Sequence, residues 1–271
     1  MKAGDTLIKV ENIHKTFKVG QQDIEILKGI DLSIKMSDFA IILGPSGCGK
    51  STLLHSILGL ERPTEGKVII EGNDMYSMTD DDIVRYRKGK VGIVFQQPIW
   101  IKSLNVIENV CVPSRLIGLT LEEAEAKAME KLKIVGLEQW IHHHPSELSS
   151  GQQQRVSLAR ALTLDPLMIV ADEPTGNLDT VSGDELMDYL QRLCKERSMT
   201  VIMVTHDLEY LRYATALFHI IDGKLVETYD NEGAKKMAAS AKTKKGDRTK
   251  VNVRDGNFLK ETDYATNKKH S

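Results

Sequence analysis

No stretch of the 271 residues holds the roughly 18 consecutive apolar residues of a membrane-spanning helix, and the opening "MKAGDTLIKVENIHKTF" lacks the apolar core of a secretory signal. A role at a membrane is therefore expected to need another chain that holds this one there. Cysteine is scarce. Cys48, Cys111 and Cys194 are odd in number, widely spaced and without metal-ligand spacing, which argues against a disulfide framework and for a reduced, cytosolic setting. Neither sign of charge dominates: 36 Lys and Arg face 38 Asp and Glu, so no general electrostatic attraction to nucleic acid is expected. Internal repeats are absent. What remains is an ordinary globular composition, 41% hydrophobic and 27% charged, in a chain long enough to bury a sizeable core.

Short runs rich in Val and Ile punctuate the chain: "FAIILG" (39–44), "KVIIEG" (67–72), "VGIVF" (91–95), "LMIVAD" (167–172) and "TVIMVT" (200–205). Near-continuous hydrophobicity is how a strand reads when both its faces are covered, so these runs predict an α/β fold with a mainly parallel sheet between helices. "TLIKVENI" and "EILKGIDLSI" alternate instead, and predict an antiparallel β subdomain with one face exposed. About residues 98–165 carry no convincing strand, and "LEEAEAKAMEKLKIVGL" (121–137) has apolar residues at helical spacing; an inserted helical subdomain is expected there. Residues 1–229 then form one folded domain. From residue 230 to 271 the chain has 11 Lys and Arg against 6 Asp and Glu and no sustained period. That composition predicts a basic, partly disordered tail, with contact to an anionic membrane surface or partner as the alternative.

"GPSGCGKST" (44–52) follows a strand and opens a helix, and it fits G-x-x-x-x-G-K-[ST]. Gly44, Gly47 and Gly49 let backbone N–H groups turn toward an oxyanion, with Pro45, Ser46 and Cys48 between them, and the helix N-terminus adds its positive dipole end. On this reading Lys50 reaches the β and γ phosphates, Ser51 joins a Mg²⁺ shell and Thr52 meets the α phosphate; a bare glycine turn is the competing reading. "LMIVADEP" puts two carboxylates where a buried strand leaves the sheet. Asp172 suits the Mg²⁺ and Glu173 suits polarising the attacking water, against the alternative of a solvated loop pair. Two further strand ends supply Gln96 and His206 as candidates to sense the γ phosphate and position the water, the alternative for either residue alone being a surface polar group. "HHH" at 142–144 reads as a solvated loop, because adjacent side chains diverge too far to share one ion.

Taken in order, "GPSGCGKST", Gln96, "LSSGQ" (148–152), "LMIVADE", "GNLD" (176–179) and His206 resemble the Walker A, Q-loop, signature, Walker B, D-loop and switch motifs of an ABC transporter's nucleotide-binding subunit. The resemblance covers about residues 5–229. "FQQ", "GQQQRVSLARAL" and "ADEPTGNLD" further resemble the lipoprotein-releasing, macrolide-exporting and cell-division ATPases. It implies a P-loop NTPase fold of the ABC type that hydrolyses ATP with Mg²⁺. Phe17 then matches the aromatic that stacks on adenine, its alternative being a buried strand aromatic, and Asp179 matches the D-loop residue that communicates across a dimer. Two copies would sandwich two ATP head to tail, with Ser149, Ser150, Gly151 and Gln152 facing the other copy's nucleotide. Ser150 stands where the family usually has glycine. The chain would sit peripherally on the cytoplasmic face of the cell membrane, touching it only through a transmembrane permease that docks near Gln96 and Trp100. Alternatives with the same chemistry are a regulator that signals across the membrane and a soluble ABC ATPase of DNA repair or translation. The last is disfavoured by the single motif set and the short span from Lys50 to Ser149.

Overall fold

The computed structural model describes residues 2–245, 251–254 and 257–260. Two long strands, β1 (Thr6–Val19) and β2 (Gln22–Lys35), form an antiparallel hairpin, followed by β3 (Phe39–Leu43) and α1 (Lys50–Ile57). Next come β4 (Glu65–Ile70), β5 (Asn73–Asp74), α2 (Asp80–Lys90) and β6 (Val91–Val94). Three helices intervene, α3 (Val106–Leu116), α4 (Leu121–Ile134) and α5 (Ser150–Leu162), before β7 (Met168–Asp172), α6 (Thr180–Arg197) and β8 (Thr200–Thr205). The chain continues through β9 (Ala216–Ile221), β10 (Lys224–Asp230) and α7 (Asn231–Lys245), then the short hairpin β11 (Val251–Arg254) and β12 (Asn257–Lys260).

Six strands make the central sheet, in the order β10-β9-β3-β8-β7-β6, with every pairing parallel except that of the edge strand β10. Both faces are buried. Phe39, Ile41 and Leu43 point into a core shared with α3 to α7, while Ala40 and Ile42 point into a second core under α1 and the antiparallel sheet. β7 and β8 divide their residues between the two cores in the same way, which is why these runs show no polar alternation.

Three expectations need correction. "KVIIEG" is not part of the parallel sheet: β4 pairs antiparallel with β1 in a second sheet, β2-β1-β4-β5. Only Val68 and Ile70 of this strand are buried, so one face is enough for it. β9 was not anticipated at all, although "ALFHII" is an apolar run broken only by His219; it pairs with β3 beside the phosphate loop. From residue 230 a tail was expected, yet Asn231–Lys245 is helical, with Ala234 and Ala238 buried and Met237 packed against the main core. Spacing of three and four residues gives α7 a narrow apolar stripe that its lysines obscure in the sequence. Within the rest of the tail, expected to be partly disordered, residues 251–254 and 257–260 form the β11–β12 hairpin, and the other residues beyond 245 lie outside the described residues.

Helices α3, α4 and α5 each begin at a reciprocal capping box, Asn105 with Glu108, Thr120 with Glu123, and Ser149 with Gln152. Lys131 of α4 is only 1% exposed, and its ammonium is held by Glu130 and by Asp165 in the turn between α5 and β7. Lys127 joins the same carboxylate at 3.0 Å. Burial alone would raise the Asp165 carboxyl, but hydrogen bonds and charge from Lys131 and Lys127 hold it below the ordinary 3.8. Its stabilisation is therefore complete above the ordinary carboxylate range and fades as pH falls through the lowered value. Asp165→Asn should cost about 1–2 kcal/mol in urea unfolding at neutral pH, discounted for the half-exposed carboxylate. The gap between variant and native chain should narrow in acid, and a gap that stays constant with pH would refute the ion pair's role.

Candidate functional site

Parallel pairing brings the C-terminal ends of β6, β7, β8 and β3 to one sheet edge, and the candidate residues leave from those ends. The loop after β3 is tightly shaped. A Cβ on Gly44 would lie 2.2 Å from the Ile220 carbonyl oxygen, and one on Gly49 would lie 2.9 Å from Leu27. Gly49 also has φ +102°, a conformation strained for any other residue. Pro45, Ser46 and Gly47 are exposed at the rim, whereas Cys48 is buried against Gly44. Burial pushes the Cys48 thiol above its ordinary range. Lys50 is buried, and its ammonium donates to the carbonyls of Gly44 and Pro45, both at 2.9 Å, at the mouth of the loop. Thr52 is half-buried on the first turn of α1.

Across from this loop, the Ser51 hydroxyl donates to Asp172 Oδ1 at 3.4 Å. Burial raises the Asp172 carboxyl above its ordinary value and Glu173 adds to the rise, while Ser51, His55 and Lys50 oppose it. The backbone reverses at Glu173, where φ is +45° although the residue is not glycine. Its N–H still bonds the Val204 carbonyl at 2.9 Å, and the turn carries its carboxylate to His206 Nδ1 at 3.1 Å. Gln96 is exposed, and its amide nitrogen lies 2.7 Å from where a Cβ of Gly176 would be, so it arches over the turn after Glu173. Glu173, Thr175, Thr205, His206, Asp207 and Tyr210 line a cleft of about 180 Å³.

The other candidates stand apart. Phe17 lies half-exposed near the tip of the β1–β2 hairpin, so it is not a buried core aromatic. Ser149 and Ser150 are exposed at the start of α5, where Ser149 Oγ accepts from the Gln152 N–H at 3.2 Å and Gln152 Oε1 accepts from the Ser149 N–H at 2.9 Å. Asp179 caps α6, and the Ser182 N–H and hydroxyl hold its carboxyl below the ordinary value.

Three connections escaped the motif reading. A Cβ on Gly151 would meet Ser182 Oγ at 2.6 Å, so the signature helix rests on the first turn of α6. Gln154, 1% exposed, donates to the Phe95 carbonyl at 2.7 Å, just before Gln96. Trp100 donates to Gln153 at 3.0 Å under the guanidinium of Arg160. No sequence spacing signals contacts across 53 or 59 residues.

A glycine-turned phosphate loop, a paired strand-end Asp and Glu, and a histidine on that Glu define a nucleotide-hydrolysing P-loop protein. The sequence profile of the ABC transporter family matches residues 27–176, and the chain belongs to that family as an ATP-binding ATPase. It is 42% identical over 219 residues to an uncharacterized ABC transporter ATP-binding protein of Thermotoga maritima, covering 81% of this chain and 93% of that one. It is 38% identical over 217 residues to the lipoprotein-releasing system ATP-binding protein LolD of Bdellovibrio bacteriovorus, covering 80% and 99%. A macrolide export ATP-binding/permease protein, MacB of Wolinella succinogenes, matches at 40% over 219 residues, or 34% of its own length. Among solved structures, the dimeric post-hydrolysis state of the cassette MJ0796 bound to ADP and Pi aligns with a TM-score of 0.77 at 39% identity, covering 83% of this chain and 99% of that one.

Gly151→Ala should lower the melting temperature of the nucleotide-free chain, by about 1–3 kcal/mol of stability, because the added methyl must displace Ser182. An unshifted transition would show that α5 can move off α6 without cost.

Proposed function

We propose that this subunit works with Mg²⁺ as a head-to-tail ATP-sandwich dimer that drives a separate transmembrane permease from its cytoplasmic face. The convergence of the Ser51–Asp172 and Glu173–His206 pairs at one sheet edge carries this reading. The residues present fit both ligands. Lys50 rests on two loop carbonyls, weak partners that a phosphate oxygen replaces with gain, and a hydroxyl facing a carboxylate is an oxygen donor set of the kind Mg²⁺ takes. Ser51, Asp172 and Gln96 would hold the ion, which when bound neutralises phosphate charge.

The chain's own residues divide the remaining work. Backbone N–H groups of the loop and Lys50 bind the phosphates, Thr52 the α phosphate, and Phe17 stacks on the base. Glu173 accepts a proton from the attacking water, and His206, bonded to that carboxylate, orients it and meets the γ phosphate. Ser149, Ser150, Gly151 and Gln152 present a helix N-terminus to the other subunit's nucleotide, with Asp179 beside it. The dimeric MJ0796 cassette supports this two-fold arrangement.

Permease docking is supported by the surface. Phe95, Ile99 and Ile101 are exposed around Trp100, and Leu116, Ile117 and Leu121 are exposed on the α3–α4 side of the helical subdomain. Gln153 and Gln154 tie this region to the signature helix, so a push on Trp100 reaches both Gln96 and Ser149. Among the described residues no helix is long and apolar enough to cross a membrane, which fits a division of labour with a membrane-spanning partner.

Glu173→Gln should reduce ATP turnover by about 10²–10³-fold while ATP still binds and a nucleotide-stabilised dimer accumulates in size-exclusion chromatography. Monomer at saturating ATP would count against the sandwich. Lys50→Ala should weaken ATP binding about tenfold or more in calorimetry, and an unaltered affinity would remove Lys50 from the phosphate site.

A further inference from the structure

Phe17 belongs to β1, whose hairpin partner β2 passes the phosphate loop at Leu27, and Lys15, two residues before Phe17, ties β1 to the far end of α1. Lys15 is only 9% exposed. Its ammonium lies 4.8 Å from the centroid of the Phe17 ring, donates to the Arg62 carbonyl at 2.7 Å and pairs with the Glu61 carboxylate. Neither partner is loosely placed. Glu61 and Leu60 both donate backbone N–H groups to the His55 carbonyl in the last turn of α1, the helix that opens at the phosphate loop. Beside them Thr64 Oγ1 accepts from the Thr16 N–H at 3.0 Å, and the Thr64 N–H donates to the His14 carbonyl at 2.8 Å. In the register of the hairpin, Lys15 stands opposite Leu27, the residue that a Cβ on Gly49 would strike.

We propose that Lys15 is a positioning residue for the nucleotide base: its ammonium holds one face of Phe17 and latches that strand to the end of α1, so the ring presents its opposite face to a purine at a set reach from the phosphate loop. The inference rests on the reading of Phe17 as the stacking residue. Its physical content is pre-organisation. A half-exposed aromatic near a hairpin tip would otherwise rotate among rotamers and move with the hairpin, and ordering it on binding costs affinity. A cation fixed by two partners removes that cost before the nucleotide arrives, through a face the base does not use. The arrangement also predicts which part of the ligand responds, because the latch acts on the base and not on the loop amides that bind phosphate.

The test compares MgATP with magnesium tripolyphosphate, which has no base, by calorimetry on the full chain, with melting temperatures recorded for every variant. Lys15→Met should weaken ATP binding about three- to tenfold and leave tripolyphosphate within about twofold. Lys15→Arg keeps the cation and should restore most of the loss. In a Phe17→Ala background Lys15→Met should add almost nothing, since the ring it positions is gone. Equal weakening of both ligands, or no change in either, would overturn the positioning role. If Phe17→Ala itself leaves ATP affinity intact, the stacking reading fails and the proposal falls with it; if Phe17→Ala weakens ATP but Lys15→Met does not, only the proposal fails.

Discussion

The parallel hydrogen bonding of β3 to β8, and of β8 to β7 and β7 to β6, is the constraint from which the site follows. Strands that run the same way end at the same edge, so residues from four distant stretches of chain leave the sheet side by side. The register is hard to change. Ile41 and Ile42 on β3, Val170 and Ala171 on β7, and Met203 and Val204 on β8 are buried on opposite faces, and a slip by one residue would send each into the wrong core. Packing density on both faces thus determines how far Ser51 lies from Asp172 and Glu173 from His206.

That edge is loaded with groups of both signs, and each is held by the backbone or by a neighbour. Lys50 is restrained by carbonyls, Asp172 is desolvated beside another carboxylate, and Glu173 depends on a left-handed backbone turn to reach His206. Such an arrangement is costly for folding, in keeping with strain and desolvation being concentrated at functional sites. The helical subdomain is joined to the same edge at discrete points. Lys131 with Asp165 fastens α4 to the turn before β7, while Gln154 and Trp100 fasten α5 to the loop after β6. These contacts join the signature helix to the segment just before Gln96 and to the exposed apolar surface around Trp100.

Much of this was legible in the sequence, for identifiable reasons. "FAIILG", "LMIVAD" and "TVIMVT" read correctly because strands buried on both faces cannot alternate. "KVIIEG" read wrongly because two buried residues in a strand of six look, in a short window, like full burial. α7 was hidden by its lysines: two alanines and a methionine suffice to seat a helix on an existing core, but they do not show as a hydrophobic pattern. The motif residues stood out because phosphate chemistry asks for particular side chains at particular spacing; in the structure Gly49 also takes a positive φ, and Gly44 has no room for a side chain beside the Ile220 carbonyl.

The sequence by itself determined the α/β class, the phosphate loop, the strand-end acids and the ATPase family, since each depends on local pattern or on chemistry with few solutions. Only the tertiary structure decided which residues touch. That Gly151 rests on Ser182, that Gln154 holds the Phe95 carbonyl, and that Lys15 stands between Phe17 and the end of α1 depends on how the two sheets and the helical subdomain pack. Contacts between residues far apart in the chain carry no periodic signature, because they are chosen by the shape of the whole core rather than by neighbours in sequence.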